Sequence, residues 1–429
     1  MKILLINYRY YEGGGAERYL FNVKDLLEKK GHTVIPFSLR FKMNRPSPYE
    51  KYFADPPGGD EDSFYYKDVK KNAGSILSLL GRQFYSKHVY DRLVQLIRDS
   101  KPDIAYVLHF LHKMSPSVID ACADHKVPVM VRISDFALIC PKNNFYRENT
   151  ICESCQKDLW HSVRFGCVQN SRAASLVNYA AYQFNYWRKF HRRVSGWVCP
   201  SRFTIDRYLS NPRFSHLTFH HVPTFVDPAL LEMGRGRSIP RQQRRLIYWG
   251  RLSQEKGIDT LLQAIKIINS TGSSIKLSLI GQGDKNYTAK IKSFIENNNR
   301  LSVALIPFQE KKELFDKAVQ ADAAVVPSVW YDNMPNSLIE AQALGMPVIA
   351  SDIGSLRELV NDGINGYKFK PGDATDLAQN IGRLYDNEET FSRLFKTTQE
   401  WAEKYYSSEK HYEALLLVFQ NHLKGRSVS

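Results

Sequence analysis

The sequence predicts an α/β protein with two doubly wound parallel sheets, one in each half of the chain. Short apolar runs typical of strands alternate with longer segments of helical periodicity throughout both halves. Alternation of this kind predicts parallel strands with helices on both faces of each sheet. The length of 429 residues exceeds what one hydrophobic core supports and fits about two domains.

The first half opens with a strand, a glycine turn, a helix and a second strand. The apolar run Lys2–Asn7 precedes Gly13–Gly15, and helical spacing follows over Ala16–Lys30. Gly31 ends this helix, and His32–Leu39 is the next predicted strand. The other predicted strands are Ile104–Leu108, Val127–Ile133 and Gly196–Cys199, and the predicted helices between them include Tyr90–Arg98 and Pro116–Cys122.

The second half shows the same alternation from about Leu246 onward. Its predicted strands are Leu246–Trp249, Ile275–Ile280, Ser302–Ile306, Ala323–Val326 and Pro347–Ala350. Its predicted helices are Gly257–Ile268, Tyr287–Glu296, Lys311–Ala318 and Pro335–Leu344.

These elements define the expected domains. We place the first domain at 1–223, a linker at 224–243 and the second domain at 244–405. The linker is rich in proline and glycine, which interrupt regular structure. A helix within 406–429 is expected to pack back on the first domain. Residues from about 140 to 195 break the alternation and are interpreted as an insertion in the first domain.

The composition excludes several classes of protein. Hydrophobic residues make up 43% and charged residues 24%, values typical of a globular protein. No run approaches the roughly 18 apolar residues of a membrane-spanning helix, and the first residues read as a strand, so a cytoplasmic protein is expected. The net charge of +15 should attract anions. No nucleic-acid-binding signature accompanies it, so nucleic acid is not an expected partner.

The strongest functional signal is a polar loop between a strand and a helix in residues 326–341. Asn333 is a candidate N-cap, and Pro335 suits the first turn of the helix. Helix N-termini at the carboxyl ends of strands bind anions such as phosphate. Glu340 can accept hydrogen bonds from sugar hydroxyls. Together with Asp332 it indicates a ligand with diol and phosphate parts, a nucleotide diphosphate.

A second signal, Gly250–Gly257, follows the first strand of the second domain and opens a helix. Arg251 and Lys256 can reach a diphosphate, the arginine by a forked contact and the lysine as a point charge. Either motif alone is explained as well by a solvated basic loop that caps a helix as by a ligand site. Because both motifs lie at the carboxyl ends of strands, where open α/β sheets bind ligands, their combination favours a ligand site.

Taken together, these residues resemble the retaining glycosyltransferases of family 4, the glycosyl transferases group 1, over nearly the whole chain. The resemblance rests on 250–257, 332–340, Ala341–Ser351, Gly354 and Glu358–Gly366, with Gly13–Glu17 and Ser201–Phe203 in the first domain. It implies the GT-B fold, in which two Rossmann-like domains face a central cleft. It also implies transfer of a sugar from a UDP- or GDP-sugar to a glycan or lipid-linked glycan, in cell-surface polysaccharide synthesis.

The resemblance assigns roles to particular residues. Arg251 and Lys256 are expected to hold the donor diphosphate, Glu340 the ribose and Asp332 the donor sugar, with no metal cofactor for catalysis. His109 is a further catalytic candidate. The other expected donor-binding residues are Gly14, Gly15, Gly250, Gly281, Gly283, Ser328, Asn333, Met334, Pro335, Asn336, Ser337 and Leu338.

Two positions depart from the family pattern. Asp332 stands where glutamate is usual, and its shorter side chain changes the expected contacts with the donor sugar. Ser134 stands where a histidine often meets that sugar. His109 either compensates for this or is an ordinary structural histidine. The departures keep two alternatives open: a catalytically inactive partner that binds nucleotide sugar, and another GT-B enzyme such as a nucleotide-sugar epimerase.

Four cysteines in the insertion, Cys140, Cys152, Cys155 and Cys167, have the spacing C-x11-C-x2-C-x11-C. The central pair is a common half of a structural zinc site, and His161 is a spare ligand. The alternative is a set of thiols in an irregular loop.

The stretch Leu176–Arg193 combines aromatic residues with a basic cluster near its end. Aromatic side chains beside cations suit an anionic membrane surface, and so predict a peripheral position at the inner face of the cell membrane. A helix packed on the core with a solvated basic end has the same pattern.

Overall fold

The computed structural model describes residues 1–57, 81–238 and 242–424. Within them the chain divides into two compact units. The first comprises 1–144, 153–222 and the chain from Tyr412 onward, and the second comprises 145–152 and 223–411. No helix in the described ranges is both long enough and apolar enough to cross a bilayer.

A six-stranded parallel sheet forms the centre of the first unit. The strands before residue 223 are β1 (Lys2–Asn7), β2 (Thr33–Phe37), β3 (Ile104–His109), β4 (Val129–Arg132), β5 (Tyr146–Arg147), β6 (Thr150–Ile151), β7 (Gly196–Cys199) and β8 (Phe219–His221). The sheet has the order β2-β1-β3-β4-β7-β8. The short strands β5 and β6 pair as an antiparallel hairpin, which belongs to the second unit.

Helices separate the strands of the first unit. They are α1 (Gly15–Lys29), α2 (Lys87–Ser100), α3 (Ser117–Asp124), α4 (Ser154–Lys157), α5 (His161–Arg164), α6 (Arg172–Trp187) and α7 (Arg202–Leu209). Serine side chains cap three of them. Ser86, Ser171 and Ser201 each accept a hydrogen bond from the backbone N–H three residues on, at 3.3, 3.2 and 3.2 Å.

The second unit repeats this architecture with a second parallel sheet of six strands. These are β9 (Arg245–Trp249), β10 (Lys276–Ile280), β11 (Ser302–Ile306), β12 (Ala323–Val326), β13 (Val348–Ser351) and β14 (Gly366–Phe369), in the order β11-β10-β9-β12-β13-β14. Its helices are α8 (Pro228–Arg235), α9 (Ile258–Ser270), α10 (Lys285–Glu296), α11 (Lys311–Ala318), α12 (Asn336–Ala343), α13 (Leu356–Leu359), α14 (Ala374–Leu384) and α15 (Glu388–Tyr405), followed by α16 (Ser408–Lys424).

Both faces of the second sheet are buried. Ile247 and Ala324 lie in one hydrophobic cluster, and their neighbours Leu246 and Val325 lie in another on the opposite face. Successive residues of a strand point to opposite faces, so near-continuous apolar strands require helices on both sides. The predicted α/β class with two Rossmann-like domains is confirmed.

The two outer strands β8 and β14 are absent from the sequence prediction. The first has only the sequence Phe-His-His, and the second has four residues of which one is lysine. Strands this short offer no window over which a period can be counted.

The predicted linker at 224–243 contains the helix α8. Asp227 caps it by accepting a hydrogen bond from a backbone N–H at 3.1 Å. Gly234 packs so closely on Ala343 that a Cβ atom there would lie 2.0 Å from the Ala343 carbonyl oxygen. The glycine that indicated a linker therefore permits a tight helix contact. Residues 239–241 of the predicted linker lie outside the described residues.

The C-terminal helix α16 packs within the first unit from Tyr412 onward. The Tyr412 hydroxyl lies 2.8 Å from His32 Nε2. Phe419 packs edge-on against Tyr106 of β3, with ring centroids 5.5 Å apart. The two contacts join the end of the chain to the residue before β2 and to the first sheet.

Candidate functional site

The strand order of the second sheet creates a crevice between β9 and β12. The chain continues from β9 to β10 on one side, whereas β12 lies on the other side of β9. Open α/β sheets bind ligands at this switch point, at the carboxyl ends of the strands. The loops 250–257 and 327–335, which carry both sequence signals, follow these two strands.

A glycine allows the two loops to touch. Gly257 has a φ of +72°, and a Cβ atom there would lie 1.8 Å from the carbonyl oxygen of Pro327. Beside it, the backbone N–H of Val329 donates to the carbonyl oxygen of Glu255 at 2.9 Å. A side chain at position 257 would push the loops apart, so glycine is required there.

An ion pair between Lys256 and Asp332 lies at the junction of the loops. Lys256 Nζ is 2.8 Å from Oδ1 and 2.9 Å from Oδ2, and the side chains are only 18% and 9% exposed. Ser328 Oγ donates to Oδ2 at 2.7 Å, and Ser355 Oγ donates to the Asp332 carbonyl oxygen at 2.7 Å. The carboxylate is therefore fixed in orientation, and Lys256 has a counter-charge within the protein.

Trp330 lies beneath the cations of the site. Its ring centroid is 5.0 Å from Lys256 Nζ and 6.0 Å from the guanidinium carbon of Arg251. Arg251 also pairs with Glu255 at 2.6 Å while remaining 58% exposed. Aromatic and acidic neighbours thus order two cations at the carboxyl end of β9, where they can bind a diphosphate.

Glu340 is a buried acid on α12. Trp249 Nε1 donates to its Oε2 at 3.0 Å, and each of the two residues is 6% exposed. A buried carboxylate held by a hydrogen bond is prepared to accept further bonds from ligand hydroxyls. The structure thus places Lys256 and Asp332 in the loops at the switch point and Glu340 on the helix that follows β12. Contact of these residues with a donor stays a prediction.

The start of α12 differs from the prediction. The helix begins at Asn336, and Pro335 rather than Asn333 occupies the N-cap position, with φ −70° and ψ 123°. The proline ring fixes φ at a value that fits both the extended N-cap position and the first turn of a helix. The sequence alone therefore did not show which of the two positions Pro335 occupies. Leu338 is fully buried in the core, so its side chain supports the helix, while Asn336 and Ser337 form its first turn.

The glycines predicted to bind the donor have packing roles in the structure. A Cβ atom at Gly281, whose φ is +152°, would lie 1.9 Å from the carbonyl oxygen of Gly250. One at Gly283 would lie 1.8 Å from that of Leu252. These contacts join the loops after β9 and β10, and contact with a donor stays a prediction.

The first unit has a pocket of about 530 Å³ at its own switch point, between β1 and β3. The loop after β1 contributes Gly14 and Gly15, and the chain after β4 contributes Ser134. Residues of the insertion, including Gln169 and Asn178, complete the lining. Switch points are the usual ligand sites of such sheets, so this pocket is a second candidate binding site.

His109 lies in this pocket at the end of β3. Its ring meets Tyr8 edge-on, with centroids 6.3 Å apart. Its Nδ1 is buried and has no hydrogen-bond partner among the described residues. Buried polar atoms are normally paired, and a catalytic role for His109 stays a prediction.

The four cysteines of the insertion differ in burial and in the unit to which they belong. Cys140 and Cys155 are buried, and Cys152 and Cys167 are half-buried. Cys152 belongs to the second unit and the other three to the first. Across the described parts of the chain, no three His, Cys, Asp or Glu residues are grouped so as to hold a metal ion. Structural zinc stays a prediction.

The aromatic and basic stretch divides into a buried part and an exposed part. Tyr182 and Phe190 are buried. Arg188 and Arg193 each lie 2.6 Å from Asp120, which is only 2% exposed. These residues therefore fit the alternative of a helix packed on the core. The exposed members of the stretch are Leu176, Ala180, Trp187, Lys189 and Arg192.

Several residues of the two sites escaped the sequence analysis. Trp249 lies directly before Gly250–Gly257 and Trp330 lies within the loop of residues 326–341, and aromatic residues near predicted cations were a usable signal. Lys113, Gln83 and Asn178 line the first-unit pocket but come from separate segments. No local pattern marks residues that only the fold brings together.

Two Rossmann-like domains with a cationic loop and two carboxylates at one switch point define a GT-B protein of the glycosyltransferase class. Residues 13–230 match the family described as Glycosyltransferase Family 4, and residues 234–401 match Glycosyl transferases group 1. The first match covers just over half of the chain. The chain therefore belongs to glycosyltransferase family 4, a family of glycosyltransferase enzymes.

A curated relative of the chain is itself described as a glycosyltransferase. The capsular polysaccharide biosynthesis glycosyltransferase CapM of Staphylococcus aureus is 28% identical over 177 residues, which cover 41% of this chain and 46% of CapM. The chain spans less than half the length of the curated relatives it matches.

Two structural neighbours extend over almost the entire chain. Sucrose-phosphate synthase from Thermosynechococcus elongatus has a TM-score of 0.68 and 17% identity, covering 100% of both chains. Anabaena HepE in complex with UDP-glucose has a TM-score of 0.60 and 16% identity, covering 98% of this chain and 100% of HepE. At these identities the likeness shows the GT-B fold alone.

Proposed function

We propose that this chain is a retaining glycosyltransferase that moves a sugar from a UDP- or GDP-sugar to a glycan or lipid-linked glycan acceptor, in cell-surface polysaccharide synthesis. The observation that carries the proposal is the cluster of Lys256, Asp332 and Glu340 at the switch point of the second sheet. Capsular polysaccharide synthesis by CapM and the UDP-glucose bound to HepE support the pathway and the donor class.

In this proposal some residues of the donor site bind and orient the donor, and others stabilise the departing diphosphate. Glu340, held by Trp249, accepts hydrogen bonds from the ribose hydroxyls. Lys256 and Arg251 bind the diphosphate, whose negative charge grows as the bond to the sugar breaks. Asp332, fixed by Ser328, orients the donor sugar. Positioning and charge stabilisation of this kind supply the rate enhancement without a covalent step on the protein.

The first-unit pocket is the proposed acceptor site, and α6 is the proposed membrane contact. Leu176 and Trp187 on α6 are 47% and 77% exposed, with Lys189 and Arg192 exposed just beyond it. Apolar and cationic side chains together suit an anionic bilayer. A lipid-linked acceptor at the inner face of the cell membrane would then be within reach of a cytoplasmic, peripheral protein.

A donor screen tests the proposed activity. The purified chain is incubated with a panel of UDP- and GDP-hexoses, with and without glycan acceptors, and released nucleotide diphosphate is measured. We expect acceptor-dependent release with one donor, and NMR of the product should show the anomeric configuration of that donor. Inversion at the anomeric carbon would refute the retaining mechanism.

The same screen decides between the alternatives. Ser134, in place of the usual histidine, favours a catalytically inactive partner as the second candidate. Donor binding without release for any acceptor would support that partner. Conversion of the nucleotide sugar without an acceptor would support an epimerase.

A further inference from the structure

The first-unit pocket has two chemically different regions, one of hydrogen-bonding groups and one of cations. Asn178 is 4% exposed and its Oδ1 has no partner among the described residues. Gln83 Oε1 and His109 Nδ1 are likewise buried and unpaired within the described chain. A buried unpaired polar atom costs free energy, and an incoming hydroxyl donor removes that cost. These groups suit the hydroxyls of a sugar.

The cationic region is formed by Arg9 and Lys113. The Arg9 guanidinium lies 5.0 Å from the Tyr8 ring centroid, and Arg9 Nη1 is 4.0 Å from Glu17 Oε1. Burial first, and the nearby charge of Arg9 second, lower the pKa of Lys113 to about 7. Both cations line the same pocket, so an anion bound there is attracted to both.

The other charged residues of the lining are one base and two acids, so the pocket keeps a positive formal charge. Arg132 is buried over the Tyr19 ring, 3.8 Å from its centroid. The acids of the lining are Glu17 and Asp135, against the three basic residues just named. The titratable groups that line the pocket together with Lys113 are Tyr8, Arg9, Glu17, His109, His112, Arg132, Asp135 and Tyr208. Burial lowers the pKa of His112 to about 4, so that histidine is neutral near pH 7.

We propose that the first-unit pocket takes an acidic acceptor: a sugar whose carboxylate or phosphate is bound by Lys113 and Arg9 and whose hydroxyls meet Asn178 and Gln83. This rests on the proposed function, since it names the class of acceptor. Asn178 lies in the insertion, so the insertion contributes to acceptor choice. Above pH 7 Lys113 loses its proton and its positive charge, and binding of the acidic acceptor weakens.

Saturation-transfer NMR on the full chain tests the proposal with three probes: methyl glucoside, methyl glucuronide and glucose 6-phosphate. We expect at least one acidic probe to bind about tenfold more tightly than the neutral one at pH 6, on the scale of one charge-assisted hydrogen bond. The preference should shrink at pH 8.5. A response to the glucuronide alone assigns a carboxylate, and a response to the phosphate alone assigns a phosphorylated acceptor.

Variants separate this site from general attraction to a basic protein. Lys113→Gln should abolish the preference for acid, and Lys113→Arg should keep the preference but remove its pH dependence. Lys285→Gln, an exposed lysine of the second unit, removes the same charge and should change nothing. Equal binding of acidic and neutral probes, no binding of either acid, or a preference that survives in Lys113→Gln would overturn the proposal. UDP binding measured on the same samples reports on the donor site, so failure of the proposed function is seen separately.

Discussion

Lys256 Nζ lies almost equally far from both carboxylate oxygens of Asp332, at 2.8 and 2.9 Å. The lysine predicted to meet the donor diphosphate is therefore already paired with the acid predicted to meet the donor sugar. A diphosphate that binds Lys256 must share it with Asp332. The two residues form one electrostatic unit.

This pairing predicts that Asp332→Asn lowers turnover without lowering the affinity for UDP. Asparagine keeps the size but removes the charge, so turnover should fall by roughly a hundredfold or more because the donor sugar is no longer held. Affinity for UDP should not fall, because Lys256 has lost its competing counter-charge. Steady-state kinetics and calorimetry measure the two quantities. Asp259→Asn, at an exposed pair with Lys290, is the matched control and should behave as wild type. A parallel loss of UDP affinity would show that Asp332 binds the nucleotide directly.

Membrane binding should depend on the exposed residues at the end of α6 and just beyond it, and not on the arginines paired with Asp120. The combined variant Trp187→Ser, Lys189→Gln and Arg192→Gln should reduce co-sedimentation with anionic liposomes, and salt should weaken the wild-type interaction. Lys290→Gln with Lys292→Gln removes the same charge from exposed positions of the second unit and serves as control. Equal binding of wild type to neutral liposomes would count against this surface.

The four cysteines of the insertion predict that the purified protein contains zinc. Elemental analysis of protein purified without added metal should find about one zinc per chain, as for a closed four-ligand site. Cys155→Ser should lower that content. Zinc-free, folded protein in which Cys140, Cys152, Cys155 and Cys167 all react as thiols would leave only the irregular-loop alternative.

Acid should destabilise the first unit through His191. This residue is 7% exposed, and burial, followed by the charges of His216 and Arg192, lowers its pKa to about 4. The unfolded histidine takes up a proton near pH 6.5, before the folded one does, so stability is present above that pH and is lost as pH falls toward 4. His191 alone should lower the free energy of unfolding by about 1 to 2 kcal/mol between pH 7 and pH 5, and His112, whose pKa is likewise about 4, should add to the drop. Urea unfolding at both values measures this change. His191→Gln should reduce it, and the exposed control His88→Gln should not.

The fold could be predicted from the sequence because the patterns that indicate strands and helices are local and recur along the chain. Apolar runs and helical spacing recur often enough to establish two parallel sheets, and most predicted strands match the structure within two residues. The short strand β8, with its two histidines, has no such signal. The helix α8 was missed because its proline and glycine were interpreted as linker residues. In the structure Pro228 starts the helix and Gly234 allows a close contact with Ala343.

The donor-site residues were also accessible from the sequence, but their relationships were not. Spacing identified Lys256, Asp332 and Glu340, yet the ion pair and the Trp249 hydrogen bond depend on how segments distant in the sequence meet. The pocket of the first unit is harder still, since Lys113 and Asn178 share no motif and become neighbours only through the fold.

The central claim is that the crevice of the second unit binds a nucleotide diphosphate, with Glu340 on the ribose and Lys256 on the diphosphate. Calorimetry with uridine, UMP and UDP, or the guanosine series if the donor screen selects it, tests this claim most directly. Glu340→Gln should weaken UDP by about one to two orders of magnitude, the effect of a lost charge-assisted hydrogen bond. Lys256→Ala should weaken UDP while leaving uridine almost unchanged, and should reduce turnover more than binding. The exposed control Lys290→Ala should leave all three affinities intact. Equal weakening of all three ligands by Lys256→Ala, or no effect of Glu340→Gln, would contradict the claim.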